Sequence, residues 1–125
     1  EALDGAEAGS ADLVVSRDSL HHWSDPRAAF ASIARVLKPG GALYLSDERR
    51  NISAAAWAFV SIFGYLSMGR FSRYWKSSIR AGYTAGEARA FAAALVGRES
   101  LVEGGFIDLR IMAGPLASGQ DRGAA

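Results

Sequence analysis

The 125-residue chain contains no cysteine, which removes any disulfide framework or thiolate metal site and makes a reducing, cytoplasmic setting the expectation. Nor does it show a basic segment, an apolar run and a small-residue cleavage site after Glu1, so nothing points to secretion. An opening on Glu rather than Met is read as the mark of a cut piece. There is no excess of one charge: 14 Lys and Arg against 13 Asp and Glu leave a formal +1, too little for global steering. Gly-x-Ser-x-Gly is absent, as are a tyrosine with lysine four residues on and a glycine fingerprint, which disfavours a serine hydrolase and a nucleotide-dependent reductase. No repeat or low-complexity block occurs. Half of the residues are hydrophobic, enough for the core of one domain or part of one.

The clearest pattern begins at Leu13-Val14-Val15, a fully apolar run of the kind expected in a strand covered on both faces of a parallel sheet. Asp25 is placed to cap a helix that has Pro26 in its first position and Phe30, Ile33, Ala34 and Leu37 on its buried face. Lys38-Pro39-Gly40-Gly41 stops that helix, and Ala42–Leu45 reads as a second buried strand parallel to the first. From Ile52 to Gly69 there is no charged residue, which predicts a helix that is buried all round or lies over a ligand. Thr84-Ala85-Gly86-Glu87 is a capping box opening a helix with Ala88, Phe91, Ala92 and Leu95 on one face. A hairpin of Glu99–Glu103 and Phe106–Ala113 follows, the second strand lying nearer Ala42–Leu45 and antiparallel to it, and 114–125 reads as a flexible tail.

Ligands of open α/β sheets bind beyond the carboxyl ends of the strands, here Ser16–Trp23 and Ser46–Asn51. Asp18, His21, His22, Asp47 and Glu48 should gather at that rim, although Asp18 and Asp47 could equally only cap loops. Adjacent His21 and His22 cannot both face one point, so at most one is a general base; Asp18 is the weaker alternative, and packing of the loop by a histidine and Trp23 competes with catalysis. Two neighbouring histidines without a third give no standard metal spacing, so no metal is expected. Arg49, Arg50, Arg70, Arg73, Lys76 and Arg80 fall between Glu48 and Glu87 with no acidic residue among them. Such a run is commonly a solvated face; beside an aromatic segment holding Trp57 it also suits a small acceptor with an apolar body and an anionic group, with Trp57, Arg49 and Arg50 the substrate-binding candidates. Nucleic acid is disfavoured by the small net charge. A membrane span is disfavoured by the serines and glycines of the uncharged stretch.

Taken in order, Asp12, the apolar strand, Ser16, Leu20-His21-His22-Trp23, Asp25-Pro26, Phe30, Ile33, Arg35 through Gly41 and the strand ending at Ser46-Asp47 resemble the fourth to fifth strands of a small-molecule class I S-adenosylmethionine-dependent methyltransferase. Tyr83-Thr84 with its helix and the final hairpin are similar to that family's later elements. The resemblance implies an α/β fold, a partial Rossmann-like sheet from the fourth strand onward, in residues 1–113, with 52–80 as a substrate lid. It implies S-adenosylmethionine as cofactor, Ser16 and Arg17 near its methionine part, and Leu20 with His21 nearer the transferred methyl. The family's acidic-Gly-x-Gly turn and its ribose- and adenine-binding acids have no counterpart, so the chain alone is expected to be inactive and to self-associate or to pair with a complementing N-terminal half. The competing reading is a non-catalytic remnant serving as a protein-interaction module.

Overall fold

The computed structural model describes Leu3 and residues 5–118. Strand β1, Ala11–Arg17, leads through a 3-10 turn at Leu20–His22 into helix α1, Pro26–Val36, and then strand β2, Leu37–Glu48. Helices α2 (Ala54–Met68), α3 (Ser72–Ala81) and α4 (Ala85–Ala92) follow, then strands β3 (Ser100–Gly104) and β4 (Asp108–Ala113) and the short helix α5 (Pro115–Ser118). The four strands form one sheet in the order β1-β2-β4-β3. β1 and β2 are parallel, with Val14 opposite Leu43 and Val15 opposite Tyr44, while β4 runs antiparallel to both β2 and β3. The expected unit and the expected hairpin are both present, with β4 the nearer strand.

Local chemistry accounts for the boundaries. The Asp25 carboxylate accepts from the Ala28 N–H and Pro26 opens α1, so two features of the sequence set one helix start. α1 ends at Val36 and passes straight into β2 at Leu37, earlier than the glycine pair suggests, because Leu37 already faces Ala11 before the register shifts. The chain turns at Gly40, whose φ of +79° lies in the left-handed region. The carbonyls of Leu37 and Lys38 at this irregularity each accept from the Arg98 guanidinium at 3.0 Å. The capping box at Thr84 forms as read, with Thr84 accepting from the Glu87 N–H and Glu87 accepting from the Thr84 N–H.

The core lies on one side of the sheet. Val14, Ser16, Leu43, Leu45, Leu109 and Ile111 share that side by strand alternation, and Leu20, Phe30, Ile33, Ala88, Ala92 and Leu95 from the covering elements complete a largely buried cluster. The opposite side carries Leu13, Val15, Tyr44, Arg110 and Met112, with Tyr44, Arg110 and Met112 partly covered and the two β1 side chains open. Leu13 is therefore 53% and Val15 61% exposed, which corrects the expectation that β1 is covered on both faces. Both faces of the run are apolar, yet only the Val14 face packs against the core cluster.

A second correction concerns the uncharged segment. It is helical from Ala54, capped by the Ser53 hydroxyl, but only Ala56, Val60 and Gly64 are buried, so it is not enclosed all round. A smaller cluster of Ile52, Ala56, Val60 and Ile79 with Trp57, Trp75 and Ile107 ties α2 and α3 to the sheet end. No helix among the described residues is long and apolar enough to cross a membrane. Gly114–Ser118, read as tail, includes the helical turn α5 against the strands; 119–125 lie outside the described residues.

Candidate functional site

The tips of the two parallel strands are stitched together by polar contacts. The Asp18 N–H donates to the Ser46 carbonyl at 2.9 Å, and Asp18 takes a φ of +50°, a left-handed conformation that Asp tolerates. The turn that follows is anchored by Leu20, which is fully buried in the core. That anchor brings His21 over the end of β2. Asp47 Oδ2 accepts the His21 backbone N–H at 2.9 Å, Asp47 Oδ1 lies 2.6 Å from His21 Nδ1, and Oδ1 also accepts the Glu48 N–H at 2.7 Å. A carboxylate oxygen accepts, so Nδ1 carries the hydrogen in this pair, and His21 Nε2 is buried without a hydrogen-bond partner among the described residues.

The alternation of β2 explains why two neighbouring carboxylates do different things. Asp47 points with Leu43 and Leu45 toward the packed side, where both it and His21 are almost wholly buried: their side chains are 1% and 4% exposed. Glu48 points the other way. Its Oε2 stands 3.6 Å from His21 Nδ1, and it is buried without a hydrogen-bond partner among the described residues. Burial, then the neighbouring Asp47 carboxylate, push the Glu48 carboxyl up from 4.5 to about 7. Gly82 closes the site from outside: a Cβ there would strike the Glu48 carbonyl.

Glu48 and Asp47 line a cavity of about 560 Å³ at the strand ends, with Arg17, Asp18, Ser46, Trp75 and Arg110 among the other walls. Most of its polar groups are already matched: Arg17 with Asp18 at 3.2 Å, and Arg110 with Asp108 at 3.1 Å. A second, more apolar cavity of about 280 Å³ lies beside β1, lined by Val14, Val15, Ser16, Ser19 and Trp23 among others. The hydroxyls of Ser16 and Ser19 are 2.5 Å apart at its polar end.

The structure thus gathers part of the expected rim. His21, Asp47 and Glu48 meet, with one potential ligand atom from each within 4.8 Å of the others, a cluster that could also hold a cation. His22 is exposed beside His21, the two rings 4.0 Å apart, and Asp18 is exposed with Arg17. Trp23 packs edge-on against Phe30 at 6.0 Å, holding the loop to the core. Leu20, expected near the methyl group, can offer only its backbone because its side chain is fully buried. The proposed substrate residues stand apart from the cavity. Trp57 packs in the smaller cluster with the Arg80 guanidinium 5.4 Å from its ring centroid. Arg50 donates to the Gly82 carbonyl and pairs with Glu87, which that arginine and, above all, the N–H and hydroxyl of Thr84 hold below the usual carboxylate range. Arg49 lies against Gly104, with its N–H on the Ile107 carbonyl. Trp75 is the aromatic wall that sequence reading missed; its signal was present in the four-residue step to Ile79, which seats α3 on the sheet end.

Residues 1–45 match the Methyltransferase domain family. The chain is 38% identical over 81 residues to the ubiquinone biosynthesis O-methyltransferase of Hahella chejuensis, a match covering 64% of this chain and 34% of that protein. It is 43% identical over 60 residues to the corresponding protein of Xanthomonas oryzae pv. oryzae, covering 48% of this chain and 25% of the relative. In sequence and in fold the chain is similar to class I S-adenosylmethionine-dependent methyltransferases. A methyltransferase structure from Aquifex aeolicus shares the fold, with a TM-score of 0.56 at 16% identity over 86% of this chain and 47% of that one. The strand order β1-β2-β4-β3 is therefore part of a class I methyltransferase sheet. This chain spans about a third of the length of the Hahella relative.

One consequence of the site can be read from stability alone. Glu48 binds its proton more tightly in the folded chain than in the unfolded one, so the folded state holds the extra proton between pH 4.5 and about 7 and loses stability as pH rises through that window. Glu48→Gln removes the effect. Urea unfolding should show the variant gaining about 1–3 kcal/mol on the parent between pH 5 and pH 8; parallel stabilities at both pH values would show that Glu48 is not desolvated as described.

Proposed function

We propose that this chain provides the acceptor side of an S-adenosylmethionine-dependent methyl transfer to a small, hydrophobic acceptor bearing an ionisable hydroxyl. The observation that carries the reading is the meeting of His21, Asp47 and Glu48 at the tips of the two parallel strands, with Glu48 facing the larger cavity. Likeness to proteins named as ubiquinone biosynthesis O-methyltransferases supports a hydroxyl acceptor.

The methyl donor supplies an activated methyl on a positively charged sulfur when bound. The residues present fit its methionine end: the paired hydroxyls of Ser16 and Ser19 border the second cavity, and Arg17, next in the chain, lines the larger one. Trp75 and Ile107 give the larger cavity an apolar wall on which an acceptor can rest, leaving its hydroxyl toward Glu48. Glu48 takes the hydroxyl proton, and Asp47, accepting from His21 Nδ1–H at 2.6 Å, fixes the imidazole in one tautomer with that N–H 3.6 Å from the Glu48 carboxyl. A carboxyl with a pKa near the working pH is suited to this exchange, being able both to take and to release the proton. Residues 52–80 form the lid in this reading, through Trp75 of α3.

Methyl transfer by the whole protein to a catechol-type acceptor tests the assignment. His21→Ala and Glu48→Gln should each lower kcat by about 10²–10⁴-fold, the range of general acid–base catalysis, and Glu48→Gln should flatten the acid limb of the pH–rate profile. Trp75→Ala should raise KM for the acceptor more than it lowers kcat. Activity surviving both His21→Ala and Glu48→Gln, with loss instead in His22→Ala or Asp18→Asn, would move the base to the exposed rim.

A further inference from the structure

Helix α2 is packed the opposite way round from a helix made for water. It touches the body of the protein through small residues, Ala56, Val60 and Gly64, and turns its large ones outward. Phe59, Ile62, Phe63 and Leu66, at the i, i+3, i+4, i+7 spacing of one helical stripe, are exposed, Ile62 by 64% and Leu66 by 77%. At its C-terminal end Phe71 and Tyr74 continue the exposed aromatic surface, their rings stacked 6.2 Å apart. Arg70 lies over the Phe71 ring and Arg73 over the Tyr74 ring, at 5.6 Å and 4.8 Å from the centroids.

Two facts identify what such a surface meets. The cations have no acidic neighbours in sequence, because no Asp or Glu occurs from Arg49 to Gly86. The cations also follow the apolar stripe directly in the chain and lie over the exposed Phe71 and Tyr74 rings, a pairing of apolar surface and arginine that suits a helix in a bilayer interface, with its side chains among acyl chains and its arginines at the phosphates. Fifteen residues at about 1.5 Å each make α2 too short to span a bilayer, so it lies on the surface.

We propose that the α2 face, with Arg70 and Arg73, docks this protein on an anionic lipid bilayer. This is independent of the methyl-transfer reading, because it concerns a surface on which none of the proposed proton-transfer residues lies.

The full chain is mixed with vesicles of phosphatidylcholine alone or with an equal part of phosphatidylglycerol, and bound protein is separated by flotation. Partitioning onto the anionic vesicles should exceed that onto neutral ones by at least ten-fold and weaken with salt. Ile62→Asp with Leu66→Asp should abolish it, and Arg70→Glu with Arg73→Glu should reduce it by about ten-fold, each with an unchanged far-ultraviolet circular dichroism spectrum, as expected for exposed positions. If the aspartate variant does not fold, the arginine variant alone decides. Failure to float with anionic vesicles, or flotation unaffected by these substitutions in folded variants, overturns the proposal. Concentration-dependent association that Ile62→Asp with Leu66→Asp removes, without vesicle binding, assigns the face to a second copy instead.

Discussion

Replacement of Asp47 by Ala is expected to destabilise the protein by on the order of 3 kcal/mol and, in the whole protein, to remove most of the methyl transfer proposed above. Asp47 is the acceptor for three donors at once, the His21 N–H, the His21 Nδ1–H and the Glu48 N–H, and all three are sheltered from water at the junction of the turn and β2. Removing the carboxylate leaves these donors without their acceptor, a cost of about 1–3 kcal/mol for each one that finds no replacement. Asp47→Asn keeps the shape but presents an amide N–H₂ to at least one donor, so its stability loss should be smaller while the imidazole still loses its fixed tautomer. Urea unfolding and kcat should therefore separate: Asn recovers much of the stability but little of the rate. Full activity in Asp47→Asn would show that Asp47 only braces the loop, the capping role equally open to it in the sequence.

The sequence made the β-α-β unit legible because several local signals agree there. Asp25 and Pro26 mark one boundary, the glycine pair falls a few residues past the other, and two apolar runs of strand length flank the helix, so no single residue had to carry the assignment. The rim was legible as a neighbourhood, since strand tips in such a sheet bring Ser16–Trp23 and Ser46–Asn51 together. Its internal arrangement was not. Which histidine turns inward depends on Leu20 sinking into the core and on Asp47 lying on the packed side of β2, and both are tertiary facts. The roles of Arg49 and Arg50 were hidden for a similar reason: Glu87 meets Arg50 only after α2 and α3 have folded back, across 37 positions of sequence. Composition misled most at α2. A helix without charge reads as buried, yet burial is decided by what is available to cover it, and here only its small-residue side finds a partner.

The same reasoning bears on β1, and gives the expectation with the largest effect on the chain's solution behaviour. β1 bonds to β2 along one edge, and among the described residues nothing bonds to its other edge, which leaves a row of unpaired N–H and C=O groups beside the half-exposed side chains of Leu13 and Val15. Covering each of those side chains is worth roughly 1–2 kcal/mol, and strand pairing adds to that. The 125-residue chain alone at tens of micromolar is therefore expected to form larger species by light scattering, and Val15→Lys, which puts a charge on the open side of that edge strand, should return it toward the monomer. Substitutions on α2 should leave this association unchanged, because they lie on a different surface. Isothermal titration of the same chain with S-adenosylmethionine should show no binding at micromolar concentrations. The Ser16–Ser19 rim can meet only the methionine end of that molecule, while the sequence has no Gly-x-Gly turn with an acidic partner for the ribose and adenine. Micromolar binding by a well-folded monomer would mean that this half-sheet completes the pocket by some other route, and that the open edge of β1 is stable in water as it stands.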